Sequence, residues 1–123
     1  QTDYLPAFYT RTSEYKLNNR VESAKEVAEM IRYSELLGLK GGILVTNPIP
    51  AEHEIPHEKI DAIIDQAVRE ADEKGVHGKD STPFLLAKIV ELTGGESLKT
   101  NIQLVYNNAK LGAQIAKEYQ EGK

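Results

Sequence analysis

"GGILVTNPIP", residues 41–50, decides how this chain is read. A glycine pair leads into a short apolar run, followed by Thr46, Asn47 and two prolines that bracket Ile49. A continuous apolar run of this length predicts a strand over 42–46 that is covered on both faces, as in a parallel sheet. In open α/β sheets, ligands bind just past the carboxyl end of a strand. Thr46 and Asn47 are therefore candidate binding residues, with the prolines forming a rigid turn beneath them. Asn before Pro is equally at home as a plain turn residue.

Outward from this stretch, helices dominate. "AFYTRT" (7–12) alternates in a way that predicts a strand. Ser23 and Glu26 form an S-x-x-E capping box opening a helix that ends at Gly38, with Val27, Met30, Ile31 and Leu37 on one face. "EKIDAIIDQAVREADEKG" (58–75) places Ile60, Ile63, Ile64, Ala67, Val68 and Ala71 at helical spacing and stops at Gly75. "STPFLLAKIVELTGG" (81–95) predicts a third helix, with Ser81 or Thr82 as its N-cap, Pro83 in its first turn and Gly94 past its end. A long final helix is expected from a Ser97 cap to about Gln120. Four helices against two clear strands leave a buried strand at 42–46 without the neighbours it needs. We therefore expect a carboxyl-terminal segment of a larger α/β protein.

Composition narrows the function. The 123 residues carry 15 basic and 19 acidic side chains, a net charge of −4, with no basic stripe. Nucleic-acid binding through phosphates needs clustered Lys and Arg, so it is not expected. Cysteine is absent, which removes thiol catalysis and Cys-rich zinc sites and suits a cytoplasmic protein. No run approaches the roughly 18 apolar residues of a membrane span.

Two familiar patterns fail on chemistry. "HEIPH" (53–57) matches H-E-x-x-H in letters, but Pro56 breaks the continuous helix that would bring both histidines to one metal. "GVHGKDST" (75–82) places Asp80 between Gly-Lys and Ser81, so the hydroxyl is not where a phosphate loop requires it; a helix-to-helix connection is expected. The chain's own residues thus offer no metal site. On the last helix, Asn101 and Asn108 fall at the centre of the apolar stripe of Leu98, Leu104, Val105, Leu111 and Ile115, with Asn107 towards the polar side. An unpaired amide on a core-facing stripe costs about 1–3 kcal/mol, so each either bonds neighbouring backbone or faces a ligand cavity.

Taken together, "LPAFYTRTS", "GGILVTNPIP" and "GKDSTPFLLAKIVELTGGESLKTNIQLVYNNAKL" resemble the pseudouridine-5′-phosphate glycosidases, also called the indigoidine-synthase-A-like proteins, over essentially the whole chain. Members are much longer, and this chain is similar to their carboxyl-terminal part, one segment (1–123) of a single domain. The resemblance implies a three-layer α/β/α sandwich with a mixed sheet, of which this chain holds mostly helices and two or three strands. It also implies a homotrimer acting on a small nucleotide. The implied reaction is reversible cleavage of the C–C glycosidic bond of pseudouridine 5′-phosphate to uracil and ribose 5-phosphate. A lysine Schiff base, a proton-shuttling glutamate and an aspartate that helps bind Mn²⁺ through water would all lie upstream of Gln1. Asn101 of "TNIQLV" matches an active-site asparagine of the family and is thereby both the catalytic and the first substrate-binding candidate; Asn47, Thr46 and Asn108 follow as binding candidates. Two alternatives are a helical association module using the Ile-rich face at 60–68, and a divergent member serving pigment biosynthesis.

Overall fold

A computed structural model describes residues 2–122, which form four α-helices: α1 Ala24–Leu36, α2 His57–Glu73, α3 Ser81–Leu92 and α4 Glu96–Glu121. Single 3₁₀ turns at Ala51–His53 and Gly78–Asp80 precede α2 and α3. The helix boundaries follow local chemistry. The Ser23 hydroxyl accepts the Glu26 N–H at 3.2 Å, while the Glu26 carboxylate accepts the Glu22 N–H at 3.2 Å. The capping box is therefore present, with its return bond one residue earlier than expected. Pro56 stands at the N-cap of α2, where its missing N–H costs nothing. His53 lies in the 3₁₀ turn and His57 opens the helix, so the two histidines do not share a helix face.

Two cap expectations are corrected. Asp80 takes the N-cap position of α3, and Ser81 is its first helical residue. Gly95, not Ser97, is the N-cap of α4. Gly94 and Gly95 both have positive φ, 59° and 86°, and this pair reverses the chain between α3 and α4 within a few residues. Ser97 is buried one step inside α4, its N–H donated to the Thr93 hydroxyl at 3.1 Å.

The main core lies between α2 and α3, where Tyr9, Ile55, Ile60, Ala67 and Ile89 are buried and Ile63, Ile64, Leu85 and Leu92 pack around them. The helical spacing of α2 therefore points inward, against α3, rather than outward to another subunit as the association alternative expected. Val68 is an exception at 40% exposed. On the other side α1 lies along α4. Arg32 donates to the carbonyl of Glu118 at 2.5 Å and Tyr119 donates to Glu35 at 2.6 Å. A guanidinium is favoured at the carboxyl end of α4, where the Glu118 carbonyl also accepts the Gly122 N–H at 3.2 Å. The apolar face drawn for α1 is covered only in its first half: Val27 and Ala28 are buried, but Leu37 is 71% exposed.

The expected strands are unpaired among the described residues. Residues 42–46 have no regular structure, and Leu44 is 87% exposed. Around 7–12 the pairing falls on the flanks instead: Leu5 N–H donates to Tyr15 O and Leu17 N–H to Asp3 O, both at 2.8 Å, with an antiparallel bridge between Tyr4 and Lys16. Between these flanks the chain bends to bury Tyr9 and Thr10. A strand is stable only with a neighbour to complete its ladder, and the described residues supply none to 42–46.

Candidate functional site

The turn after residue 46 is fastened from two sides. From α4, the Asn107 amide donates to Pro48 O at 3.1 Å. The Asn47 amide donates to the Asn108 side-chain oxygen, also at 3.1 Å. From the amino-terminal segment, the Arg11 guanidinium donates to Ile49 O at 2.6 Å, and the Arg11 N–H donates to the Glu54 carboxylate at 2.9 Å. Pro48 and Ile49 are consequently buried. Past the second proline, Thr100 donates its hydroxyl to His53 O at 2.9 Å, and Ile55 N–H donates to Tyr9 O at 3.0 Å. Two prolines alone would set the local dihedrals; these bonds set where the turn stands relative to α4.

The four candidate residues are distributed unevenly. Asn47 and Asn108 meet directly, and Thr46 is the half-buried residue before them. Asn108 is on the surface rather than facing a core, because the stripe drawn for α4 is only partly covered: Leu104 is buried while Leu98 is 49% and Val105 59% exposed. Asn101 precedes Asn108 by seven residues, so it lies on nearly the same helix face, roughly 10 Å along the axis. Its side chain is half-buried and has no hydrogen-bond partner among the described residues. That leaves one amide able to donate and accept towards a ligand. Asn107 was placed on the polar side, yet it is the residue that fixes the turn; an Asn three turns into a helix gives no sign of a remote carbonyl partner. Arg11 and Glu54 were not singled out either, and only their spatial meeting reveals them.

Amides and hydroxyls at this strip can orient a polar ligand by donating and accepting hydrogen bonds. The shifted titrations lie elsewhere. Lys88 holds the Glu70 carboxyl below its ordinary value through a hydrogen bond, and Glu70 in turn raises Lys88; the pair joins α2 to α3 at 2.8 Å. Burial raises the Tyr9 hydroxyl. No three His, Asp or Glu side chains gather into a metal cage among the described residues.

A helical layer carrying a proline-fixed turn and a row of amides, with one apolar segment left unpaired, is a fragment whose solved neighbours are indigoidine synthase A-like and C-glycosynthase folds. The chain belongs to the indigoidine synthase A-like protein family, whose model matches residues 1–118. It is 56% identical over 120 residues to a pseudouridine-5′-phosphate glycosidase of Escherichia coli, covering 98% of this chain and 38% of that protein. A pseudouridine-5′-phosphate glycosidase of Petrotoga mobilis is 54% identical over 119 residues, covering 97% and 39%. This chain thus spans about two fifths of the length of these relatives and corresponds to a carboxyl-terminal portion. The crystal structure of an indigoidine synthase A-like protein from Thermotoga maritima superposes with a TM-score of 0.80 at 37% identity, covering 94% of this chain and 37% of that one. A prealnumycin C-glycosynthase, crystallised with ribulose 5-phosphate, shares the fold with a TM-score of 0.85 at 22% identity.

Proposed function

We propose that this chain is the carboxyl-terminal portion of an enzyme that reversibly cleaves the C–C glycosidic bond of pseudouridine 5′-phosphate, giving uracil and ribose 5-phosphate. The observation that carries this reading is 56% identity across 98% of the chain to a relative of that activity. A C–C bond has no basic leaving atom to protonate, so cleavage needs an electron sink and a positioned acid–base pair. The amide strip contains neither. The lysine, glutamate and aspartate implied by the resemblance would come from outside these residues, as would the ligands of a manganese ion. In this reading the chain's part is binding: Asn101 presents its free amide to the edge of the uracil, and Asn47, Asn108 and Thr46 extend the polar wall towards the ribose phosphate. Residues 42–46 would be a strand of the mixed sheet in a three-layer α/β/α domain, and the assembled protein a homotrimer.

The test is a chimera in which this chain replaces the matching carboxyl-terminal portion of the Escherichia coli relative. Uracil release from pseudouridine 5′-phosphate in the presence of Mn²⁺ is expected at a rate within about tenfold of the native relative, a difference of about 1.4 kcal/mol in the barrier. A folded chimera that releases no uracil, beside an active parent, would sink the reading.

A further inference from the structure

Between the amino-terminal segment and the start of α2 lies a crevice of about 440 Å³, lined by Phe8, Tyr9, Glu14, Tyr15, His57 and Asp61 among others. That volume is within the range of small-molecule sites. Main-chain bonds fix its walls: Leu5 N–H donates to Tyr15 O at 2.8 Å and Ile55 N–H to Tyr9 O at 3.0 Å, while the Tyr15 N–H donates to the Ser13 hydroxyl at 3.3 Å. Tyr9 is only 5% exposed. Its hydroxyl has no hydrogen-bond partner among the described residues, yet the oxygen is not sealed away from open space. A buried tyrosine ordinarily finds a partner for that hydroxyl, and here the crevice is the space that could hold one.

Charge and ring surface specify the guest. No lysine or arginine lines the crevice, and neither Glu14 nor Asp61 pairs with one among the described residues; Asp61 lies 4.0 Å from the His57 ring. Glu14, His57 and Asp61 do not gather into a metal cage, so the two carboxylates stand open to a larger cation. Phe8 and Tyr9 meet edge to face with ring centroids 4.9 Å apart. Phe8 and Tyr15, 45% and 64% exposed, offer ring surface to a cation and its alkyl stem. A primary ammonium carries three N–H donors and no acceptor, which matches one hydroxyl oxygen and two carboxylates. We infer that this crevice binds a small primary alkylammonium, its charge held by Tyr9, Glu14 and Asp61 and its stem against Phe8 and Tyr15. An anion would meet two like charges there, and a neutral alcohol would leave both carboxylates without a counter-charge. The inference is independent of the proposed reaction, since no residue of the amide strip lines this crevice.

The experiment titrates butylammonium chloride into the isotope-labelled 123-residue chain and into the chimera, following the aromatic rings by NMR. Saturable shifts are expected at Phe8, Tyr9 and Tyr15, with a Kd on the order of 1–10 mM for so small a ligand. Butyrate and 1-butanol, which share the stem without the positive charge, should bind at least about tenfold more weakly. Glu14→Gln and Asp61→Asn, both at exposed positions, should each weaken butylammonium about threefold or more, and together about tenfold. Tyr9→Phe should weaken it about threefold while Tm stays unchanged, because the deleted hydroxyl has no protein partner. Four results overturn the inference: no saturable shift, butanol binding as tightly as butylammonium, the Glu14→Gln and Asp61→Asn double variant binding within about twofold of the unaltered chain, or binding to the chain that vanishes in the folded chimera. The last would show that the rest of the domain already fills the crevice.

Discussion

Arg11 is the residue on which the position of the 47–50 turn depends most directly. Its guanidinium reaches Ile49 O at 2.6 Å, and Ile49 itself is fully buried. Arg11→Met keeps most of the aliphatic stem and deletes only the donor. A hydrogen bond from a charged group contributes about 1.5–3 kcal/mol. Arg11 is half-buried, so water can replace part of that loss, and we expect a destabilisation of about 1–2 kcal/mol. For a domain of this size that is a fall in Tm of roughly 4–8 °C, at about 4 °C per kcal/mol. Thermal unfolding followed by circular dichroism measures it directly. The sharper assay is a double-mutant cycle with Asn107→Ala, which removes the donor to the adjacent carbonyl of Pro48. Two clamps on one rigid turn should couple by about 0.5 kcal/mol or more. Additive effects within error, or an unchanged Tm for Arg11→Met, would show that the prolines hold the turn unaided and refute the reasoning.

Other outcomes follow from the same geometry. Ile55→Ala empties a fully buried position at the centre of the α2–α3 core and should cost about 2–5 kcal/mol; denaturant titration showing under 1 kcal/mol would count against that core. Glu70 is held below its ordinary value by Lys88, so the stability it contributes is present above the unfolded carboxyl pKa and is lost as pH falls through the depressed folded value. Lys88→Met should move the Glu70 titration upward in carbon-13 NMR and make the protein unfold at a higher pH on acidification. Asn101→Ala in the active chimera should lower kcat/KM for pseudouridine 5′-phosphate about 10- to 100-fold, about 1.4–2.7 kcal/mol of lost binding, with Tm changed little because the amide has no protein partner; an unaltered kcat/KM would remove Asn101 from the site.

Much of this was legible in the order of residues. Helical spacing identified all four helices, because a repeat of 3.6 is written locally and glycines at 38, 75 and 94 adopt the positive φ that ends a helix. Pro56 excluded a metal-binding helix for the same local reason. Side-chain facing was less legible. Leu37, Leu98 and Val105 read as core and are exposed, since spacing says which residues share a face and not whether anything covers it. The strand at 42–46 shows the same limit: its apolar run is plain in the sequence, but a ladder is a property of two segments. Asn101 is a candidate through the family resemblance alone, whereas the bonds from Arg11, Asn107 and Thr100 join residues 38 to 59 positions apart and have no local signature.

The seat of α1 has a consequence for the order of assembly. Arg32 is anchored on carbonyls of Glu118 and Tyr119, 86 and 87 residues further along, whereas α2 and α3 are neighbours in sequence and in space. During synthesis the α2–α3 hairpin can close as soon as it emerges. Helix α1, although made before α2 and α3, must wait until almost the last turn of α4 has been completed. Until then its apolar side and the bare segment behind it are open together, the condition in which a nascent chain draws chaperones or misassociates. Moving α1 behind α4 by circular permutation would shorten that wait, and a higher soluble yield from the permuted gene is the sign to look for.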